Sequence, residues 1–291
     1  MRWRYADDRF AVADWRCDGS GTGAASNEES TRHFEINLHR RGWHVRSLAR
    51  RRYFIDPLHH CIWPADSGFR LSDNTAHPQG ATLLLVTPSL IEESLATLAR
   101  AGVATLRRLH ASPAHWRSSE IIACHARLLA TAPGDWLALA EHSLALIRRV
   151  VAAAAGLSMG DADGGSSRGT AAIDVARSYI LSRYREPLSL ASIAAACNVA
   201  PSTLCARFPR AAGMPVWRYV QRLRLQDAAL ALAEGVQDLS ALALDLGFSS
   251  HSHFAQAFRA QFGASPARFR RLLQVGLQPD SLSFSISAYA E

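Results

Sequence analysis

The chain is 291 residues long, with 48% hydrophobic and 20% charged residues and a formal net charge of +7. That length is too great for one comfortable single-core domain and suits two, and the composition excludes wholesale disorder. A membrane helix needs roughly 18 to 20 apolar residues in a row, and the longest candidate, Leu144 to Leu157, is interrupted by Arg148 and Arg149.

The N-terminal residues, MRWRYADDRF, lack an apolar h-region and predict no secretory signal. Residues 18–31, rich in Gly, Ser, Thr and acids, predict a loop. From Thr31 to about Pro88 the texture is β. Phe34, Ile36 and Leu38 alternate with polar partners, a turn is expected at Arg40-Arg41-Gly42, and Trp43, Val45 and Ser47 resume the alternation ahead of Tyr53 and Ile55. Asp56-Pro57 and Pro64 to Gly68 carry turn chemistry, and Ala81 to Val86 reads as a short apolar strand. Such spacing predicts a small sandwich or barrel. Trp43, Tyr53, Phe54, Trp63 and Phe69 are expected in its core, some of them lining a small effector pocket.

After Pro88 the pattern turns helical. Leu90 to Arg108 and Ser118 to Thr131 predict amphipathic helices, and Trp136 to Ala155 predicts a long one, capped by Pro133-Gly134-Asp135. Gly156 to Thr170, GLSMGDADGGSSRGT, predicts a flexible linker that lets the two ends move separately. Ala171 to Leu273 reads as helical throughout. The expected organisation is therefore a domain over 1–155, a linker over 156–170, a helical domain over 171–275 and a tail over 276–291.

The helical domain contains an internal repeat. Ile193, Asn198-Val199, Leu204, Phe208 and Gly213 match Leu242, Gly247-Phe248, Phe254, Phe258 and Gly263, with an offset of 49 residues before the turn and 50 after it. Each copy has the logic of a helix-turn-helix. A short helix ends at a residue that tolerates a left-handed backbone, Asn198 or Gly247. An apolar residue plugs the corner, Val199 or Phe248. A second helix starts at Pro201, or behind Ser249 or Ser250 as N-cap, and Gly213 or Gly263 ends it. Between the copies, Pro215 to Glu234 predicts a helix about 30 Å long, enough to hold two reading heads in successive major grooves about 34 Å apart. Val216, Val220, Leu223 and Leu230 are expected on one side of it and Arg218 and Arg222 on the other.

All 32 basic residues are Arg, a bias that alone says nothing about nucleic acid, but their distribution does. Residues 168–275 carry 13 Arg against 6 acids, whereas residues 1–167 carry 19 against 17. The excess positive charge therefore sits with the repeat, as in a DNA-facing domain. On a helical wheel Ser202, Ala206 and Arg210, flanked by Thr203, lie opposite Leu204 and Phe208. Ser252, Gln256 and Arg259, flanked by His253, lie opposite Phe254 and Phe258. Gln256 suits adenine N6/N7, and Arg210 and Arg259 suit guanine or phosphate. Ser249, Ser250 and His251 stand at a helix start, where an end-on approach to the groove would use them. Double-stranded DNA is thus the expected partner.

The stretch LALDLGFSSHSHFAQAFRAQFGASPARFRR closely resembles the AraC/XylS family of transcription regulators, through Leu242-Ala243, Gly247-Phe248, Phe254, Gln256, Phe258, Gly263, Pro266 and Phe269-Arg270. Tyr219, Arg224, Leu225, Ala228 and Leu232 also occupy places typical of the family's spacer helix. The resemblance covers about 100 residues. It implies an α+β chain: a small cupin-like β-sandwich sensor over residues 1–90, helices over 90–155 that complete it and pair two chains, and an all-α double helix-turn-helix reader. It also implies a homodimer, a small-molecule effector, contact with RNA polymerase, and activation more often than repression. A second reading keeps the DNA-binding regulator but makes the N-terminal domain an effector-less dimerisation or protein-interaction module.

Departures from the family fall in the first copy and at one reader of the second. Ala206 and Gln256 stand where the family often has Arg, Arg207 sits on the flank, Pro215 comes one position early, and Pro209 lies inside the first recognition helix, where it is expected to kink or end it. The second copy is therefore expected to carry more of the specificity.

Other constellations are weak. The five cysteines, Cys17, Cys61, Cys124, Cys197 and Cys205, form no CxxC pair, which argues against a disulfide framework or zinc knuckle and suits a reducing cytoplasm. Cys205 is expected to act as a small hydrophobe. His251 and His253 point about 200° apart on a helix, His59-His60-Cys61 is expected to be solvated or packed, and His33, His39, His44 and Glu35 lack the spacing of a metal-dependent cupin enzyme. The thiol cluster needed for DNA-alkyl repair is not present in the sequence. No metal, cofactor or enzymatic activity is expected.

Overall fold

In the computed structural model the described residues are 1–19, 32–48, 51–72, 78–97, 102–111, 114–116, 118–156 and 168–274. Most of the expected loop (20–31), the core of the expected linker (157–167) and the tail from residue 275 lie outside them.

The N-terminal unit is built on two antiparallel sheets. Strands β1 (Arg2–Ala6), β2 (Phe10–Cys17), β3 (Phe34–Arg41), β4 (His44–Leu48), β5 (Arg51–Ile55), β6 (His60–Trp63), β7 (Phe69–Ser72), β8 (Gln79–Val86) and β9 (Ala114–Trp116) divide into a six-stranded sheet of order β1-β2-β8-β3-β6-β9 and a three-stranded sheet of order β5-β4-β7. Sequence reading missed the β1–β2 hairpin and β9. Trp3 and Tyr5 do alternate with Arg2 and Arg4 across an Asp-Asp turn, in which Asp7 Oδ1 accepts from the Arg9 and Phe10 N–H groups at 2.9 and 2.8 Å. The three residues of β9, paired with β6, are too few for a periodic signal.

Two faces of β3 have different fates. Phe34, Ile36 and Leu38 join a core with Leu90 of α1 (Pro88–Ala96), Ile121 and Leu128 of α3 (Ser119–Ala130) and Leu146 and Val150 of α4 (Trp136–Ala155). Glu35 of the other face accepts from Arg46 Nη2 at 2.6 Å, and the Arg46 guanidinium lies 4.7 and 4.2 Å from the Trp63 and Phe69 ring centroids. That contact ties the small sheet to the large one. The predicted helix over Leu90 to Arg108 is two helices, α1 and α2 (Gly102–Ala111), because α1 closes at Thr97. Asp135 caps α4 as the sequence predicts, and Ser118 caps α3.

The C-terminal unit is all helical: α5 (Arg168–Arg183), α6 (Leu190–Ala196), α7 (Pro201–Ala212), α8 (Val216–Ala233), α9 (Leu239–Asp245), α10 (His251–Phe262) and α11 (Pro266–Gln274). The chain is therefore an α+β protein, with a two-sheet antiparallel unit and appended helices followed by an all-α double helix-turn-helix.

The repeat holds at the level of single hydrogen bonds. Helices α6 and α9 have 7 residues each, and α7 and α10 have 12 each. Asn198 and Gly247 take φ of 52° and 76°. The N–H groups of Asn198 and Val199 donate to Ala195 and Ala194, as those of Gly247 and Phe248 do to Leu244 and Ala243. This paired closure is a Schellman motif, in which a left-handed residue satisfies the last helical carbonyls. A Cβ at Gly247 would meet Arg185 O at 2.7 Å and Arg224 Nη2 at 2.8 Å. Gly247→Ala is therefore expected to cost more than the ~1 kcal/mol of a left-handed alanine alone, whereas Asn198→Gly is expected to be nearly neutral; chemical unfolding of both variants measures the contrast.

Pro209 neither ends nor replaces helix: α7 runs on to Ala212 and closes on Gly213 at φ 67°. The ring removes one backbone donor, and the flanking turns hold the helix through Leu204, Phe208 and Ala212, all buried.

Candidate nucleic-acid interface

Each recognition helix turns one face inward and one outward. In α7 Leu204 and Phe208 are buried, while Ser202, Ala206, Arg207 and Arg210 are exposed and Thr203 is half-buried. In α10 Phe254, Phe258 and Phe262 are buried, while His251, Ser252, His253, Gln256 and Arg259 are exposed. Ser249 and Ser250 are exposed at its start. Ser250 is the N-cap, its hydroxyl accepting from the His253 N–H at 3.2 Å, and Ser249 Oγ lies 3.2 Å from His253 Nδ1. The structure thus gathers the expected residues into two outward polar faces, one per copy. Arg207, Arg210 and Arg259 give both faces positive charge.

Helix α8 joins the copies. Its 18 residues span about 27 Å at 1.5 Å each. It is not the one-sided spacer that the sequence predicts: Tyr219, Leu223, Leu225, Gln226, Ala228, Ala229 and Leu232 are all buried, because helices and the N-terminal unit surround it. Arg224 is a clamp that sequence reading did not foresee. Its Nε donates to Tyr184 O at 2.7 Å, Nη1 to Gly247 O at 2.6 Å and Nη2 to Glu186 O at 3.0 Å. One guanidinium from α8 therefore fixes the end of α5 and the turn of the second copy. Arg270 Nη1 does the same for the loop after α8, donating to Gln237 O at 2.7 Å.

Cys205 is exposed rather than packed as a small hydrophobe. It lines an apolar cleft of about 610 Å³ between the copies, with Pro209, Trp217 and Phe248. The side chain lies one position past Leu204, off the inward stripe.

The two units pack against each other. Ile122, Ala123 and Ala126 of α3 share a core with Leu225, Phe254, Phe258 and Phe262, so this face of α3 is occupied within the chain. Trp43 and Phe54, expected in the β core, stack at 5.0 Å and pack against the core of the first copy. Tyr53 and Trp63 stay inside the β unit.

His59 Nδ1 is 2.7 Å from Asp56 Oδ1, His60 Nε2 is 3.1 Å from Ser118 O, and burial pushes the Cys61 thiol up. His39 and His44 do stand together, with ring centroids 4.9 Å apart, and burial pushes His39 down to about 4 and His44 well below its usual value. Among the described residues no group of three or more His, Cys, Asp or Glu is placed to hold a metal ion. No helix among them is long and apolar enough to cross a membrane.

Residues 193–272 match the helix-turn-helix domain family. The HTH-type transcriptional regulator MtrA of Neisseria gonorrhoeae is 29% identical over 92 residues, which are 32% of this chain and 31% of that protein. LumQ of Photobacterium leiognathi, described as a probable transcriptional regulator, is 37% identical over 92 residues, 32% of this chain and 37% of that one. A solved AraC-type transcriptional regulator from Chromobacterium violaceum is 27% identical with a TM-score of 0.35, covering 37% of this chain and 96% of that one. The chain thus spans about a third of the length of these curated relatives. Over residues 193–272 the chain is thus similar to the helix-turn-helix region of AraC-like transcription regulators.

Proposed function

We propose that the protein is a sequence-specific DNA-binding transcription regulator whose two recognition helices read successive major grooves on one DNA face. The observation that carries this reading is the pair of outward polar faces on α7 and α10, built on turns closed by the same hydrogen bonds and joined by a helix of near groove-to-groove length. Gln256, exposed mid-way along α10, is the residue best suited to a base edge. Arg207, Arg210 and Arg259 supply phosphate or guanine contacts, and Ser249, Ser250, His251, Ser252 and His253 cluster at the end-on approach of α10. Ser202, Thr203 and Ala206 form the corresponding face of α7.

The testing experiment is recovery of genomic fragments by the purified protein, followed by affinity against salt and excess random duplex. A repeated motif with half-elements about one helical turn apart is the expected result. Salt-sensitive binding with no preferred sequence, or no binding, would overturn the reading. In the recovered site Gln256→Ala is expected to weaken specific binding by about 1–3 kcal/mol and random-duplex binding hardly at all. A larger loss of discrimination from Ser202→Ala or Arg210→Ala would reverse the expected order of the two heads.

Control by a small effector is part of the proposal. A cleft of about 1070 Å³ runs between the units, with Trp15, Arg16 and Arg41 on one side and Leu181, Tyr184 and Leu230 on the other. Asp18, Arg40, Arg185, Asp227 and Glu234 also line it, so its wall is largely polar and of mixed charge and suits small polar organic compounds. Raised melting temperature with such compounds favours this reading over an effector-less N-terminal module. For the homodimer, the outer face of α4 is the available surface, since α3 is occupied and Trp136 and Leu137 of α4 are exposed.

A further inference from the structure

The turn between β5 and β6 leaves the N-terminal unit and enters the first helix-turn-helix. Leu58, at its tip, is buried in one core with Ile173, Leu204 and Phe208. Beside it Asp56 is fully buried. Its Oδ1 accepts the Leu58 N–H at 2.9 Å and meets the His59 ring at 2.7 Å. Its Oδ2 accepts from Arg177 Nη2 at 2.5 Å and from the Tyr219 hydroxyl at 2.6 Å. Arg177, on α5, lies over the Phe54 ring at 3.9 Å. The Tyr219 ring meets Phe208, the inward residue of α7, at 5.4 Å. Further along α8 the Gln226 amide donates to the Pro57 carbonyl. Direct contacts therefore run from a loop of the N-terminal unit to the back of the first recognition helix.

We propose that the Asp56–Leu58 turn is a latch that holds the first reading head against the N-terminal unit, and that opening it is the step by which that unit controls engagement of DNA by both heads. The proposal rests on the DNA-binding reading above. Its chemistry is that of a latch rather than a weld. A buried ion pair gains in Coulomb attraction about what it loses in desolvation, and Arg177 Nε and Gln226 Oε1 are buried without a partner among the described residues. Such an interface stands near balance and responds to small perturbations. The second head is held differently, by the apolar face of α3. With the latch closed, both heads are tied to one body and the angle between them is fixed. With it open, the first head adjusts to the second groove.

The test uses the full chain, wild type and with Asp56→Asn or Tyr219→Phe, the latter keeping the ring and the ion pair. Circular dichroism first confirms folding. Affinity is measured for a duplex with two half-elements and for one with a single element, both from the fragment selection. Asp56→Asn is expected to bind the double element at least tenfold more tightly than wild type and the single element unchanged, with Tyr219→Phe intermediate. Equal or weaker binding of the double element by folded variants overturns the latch. If no protein binds any duplex, the DNA reading fails by itself, and hydrogen exchange on the free protein still decides. Wild-type amides of Leu58, His59 and α7 are expected to exchange as one unit, and in Asp56→Asn those of Leu58 and His59 are expected to exchange at least tenfold faster while α10 is unchanged. Independent exchange in wild type, or no change in the variant, overturns the proposal.

Discussion

Arg177→Met is expected to cost about 3–5 kcal/mol of stability, the usual loss when one partner of a buried ion pair is removed. Arg177 is the cation for Asp56, which water does not reach. Methionine keeps much of the apolar stem over Phe54 and so isolates the loss of charge. The paired change Asp56→Asn with Arg177→Met is expected to recover most of the deficit, because the pair as a whole adds little over an uncharged replacement. Urea unfolding of the three proteins measures both numbers. Burial alone would raise the Asp56 carboxyl, but His59 and Arg177, with hydrogen bonds from His59 and Tyr219, hold it well below its usual value. A carboxylate lowered in the folded state contributes stability above its unfolded value of about 4 and loses it as pH falls through the folded one. In Arg177→Met the same carboxyl loses its cation and moves upward, so acid relieves the variant while it harms the wild type. The gap between the two proteins is therefore expected to narrow as pH drops from about 7 to about 4. A gap that stays constant would mean that the lost packing of the guanidinium, not its charge, caused the destabilisation.

The repeat was the most legible part of the sequence because its determinants are local. A left-handed residue, a plug and an inward i, i+4 pair need only their own neighbours, and the hydrogen bonds at Asn198 and Gly247 follow. The outward faces of α7 and α10 follow from the same wheel. Contacts between units were not legible. Asp56-Pro57 read as a turn, which it is, but nothing in its sequence says that Arg177 and Tyr219, over 100 residues away, will close on it. Tyr219 and Gln226 gave no hint either, because they sit among Arg218, Gln221, Arg222, Arg224 and Asp227 in a mixed stretch of α8. The burial of α3 against α10 was hidden for another reason: alanines at positions 123 and 126 carry little hydrophobic signal, and their small size is what lets the helices approach. Pro209 shows the converse, a strong local signal overruled by the packing on both sides of it.

Phe258→Ala is expected to cost about 3–5 kcal/mol, the range for a large aromatic cut from a core. Its ring has no exposed surface and meets Phe254 at 5.7 Å, Phe262 at 4.6 Å and Phe269 at 5.3 Å. Three aromatic neighbours cannot collapse onto an alanine without breaking their own edge contacts, so most of the cavity remains. The site also joins the second head to α3 through Ile122 and Ala126. Loss of the ring is therefore expected to loosen α10, α11 and the α3 contact together, while α6 and α7, in a separate core with Leu204 and Tyr219, stay folded. Hydrogen exchange resolves the two heads: amides of α10 are expected to lose protection in Phe258→Ala and those of α7 to keep it. Phe258→Leu, which retains most of the volume, is expected to lose less than half as much stability. Equal loss of protection in both heads would show that the two copies unfold as one unit, and that α8 transmits more of the stability than the separate cores imply.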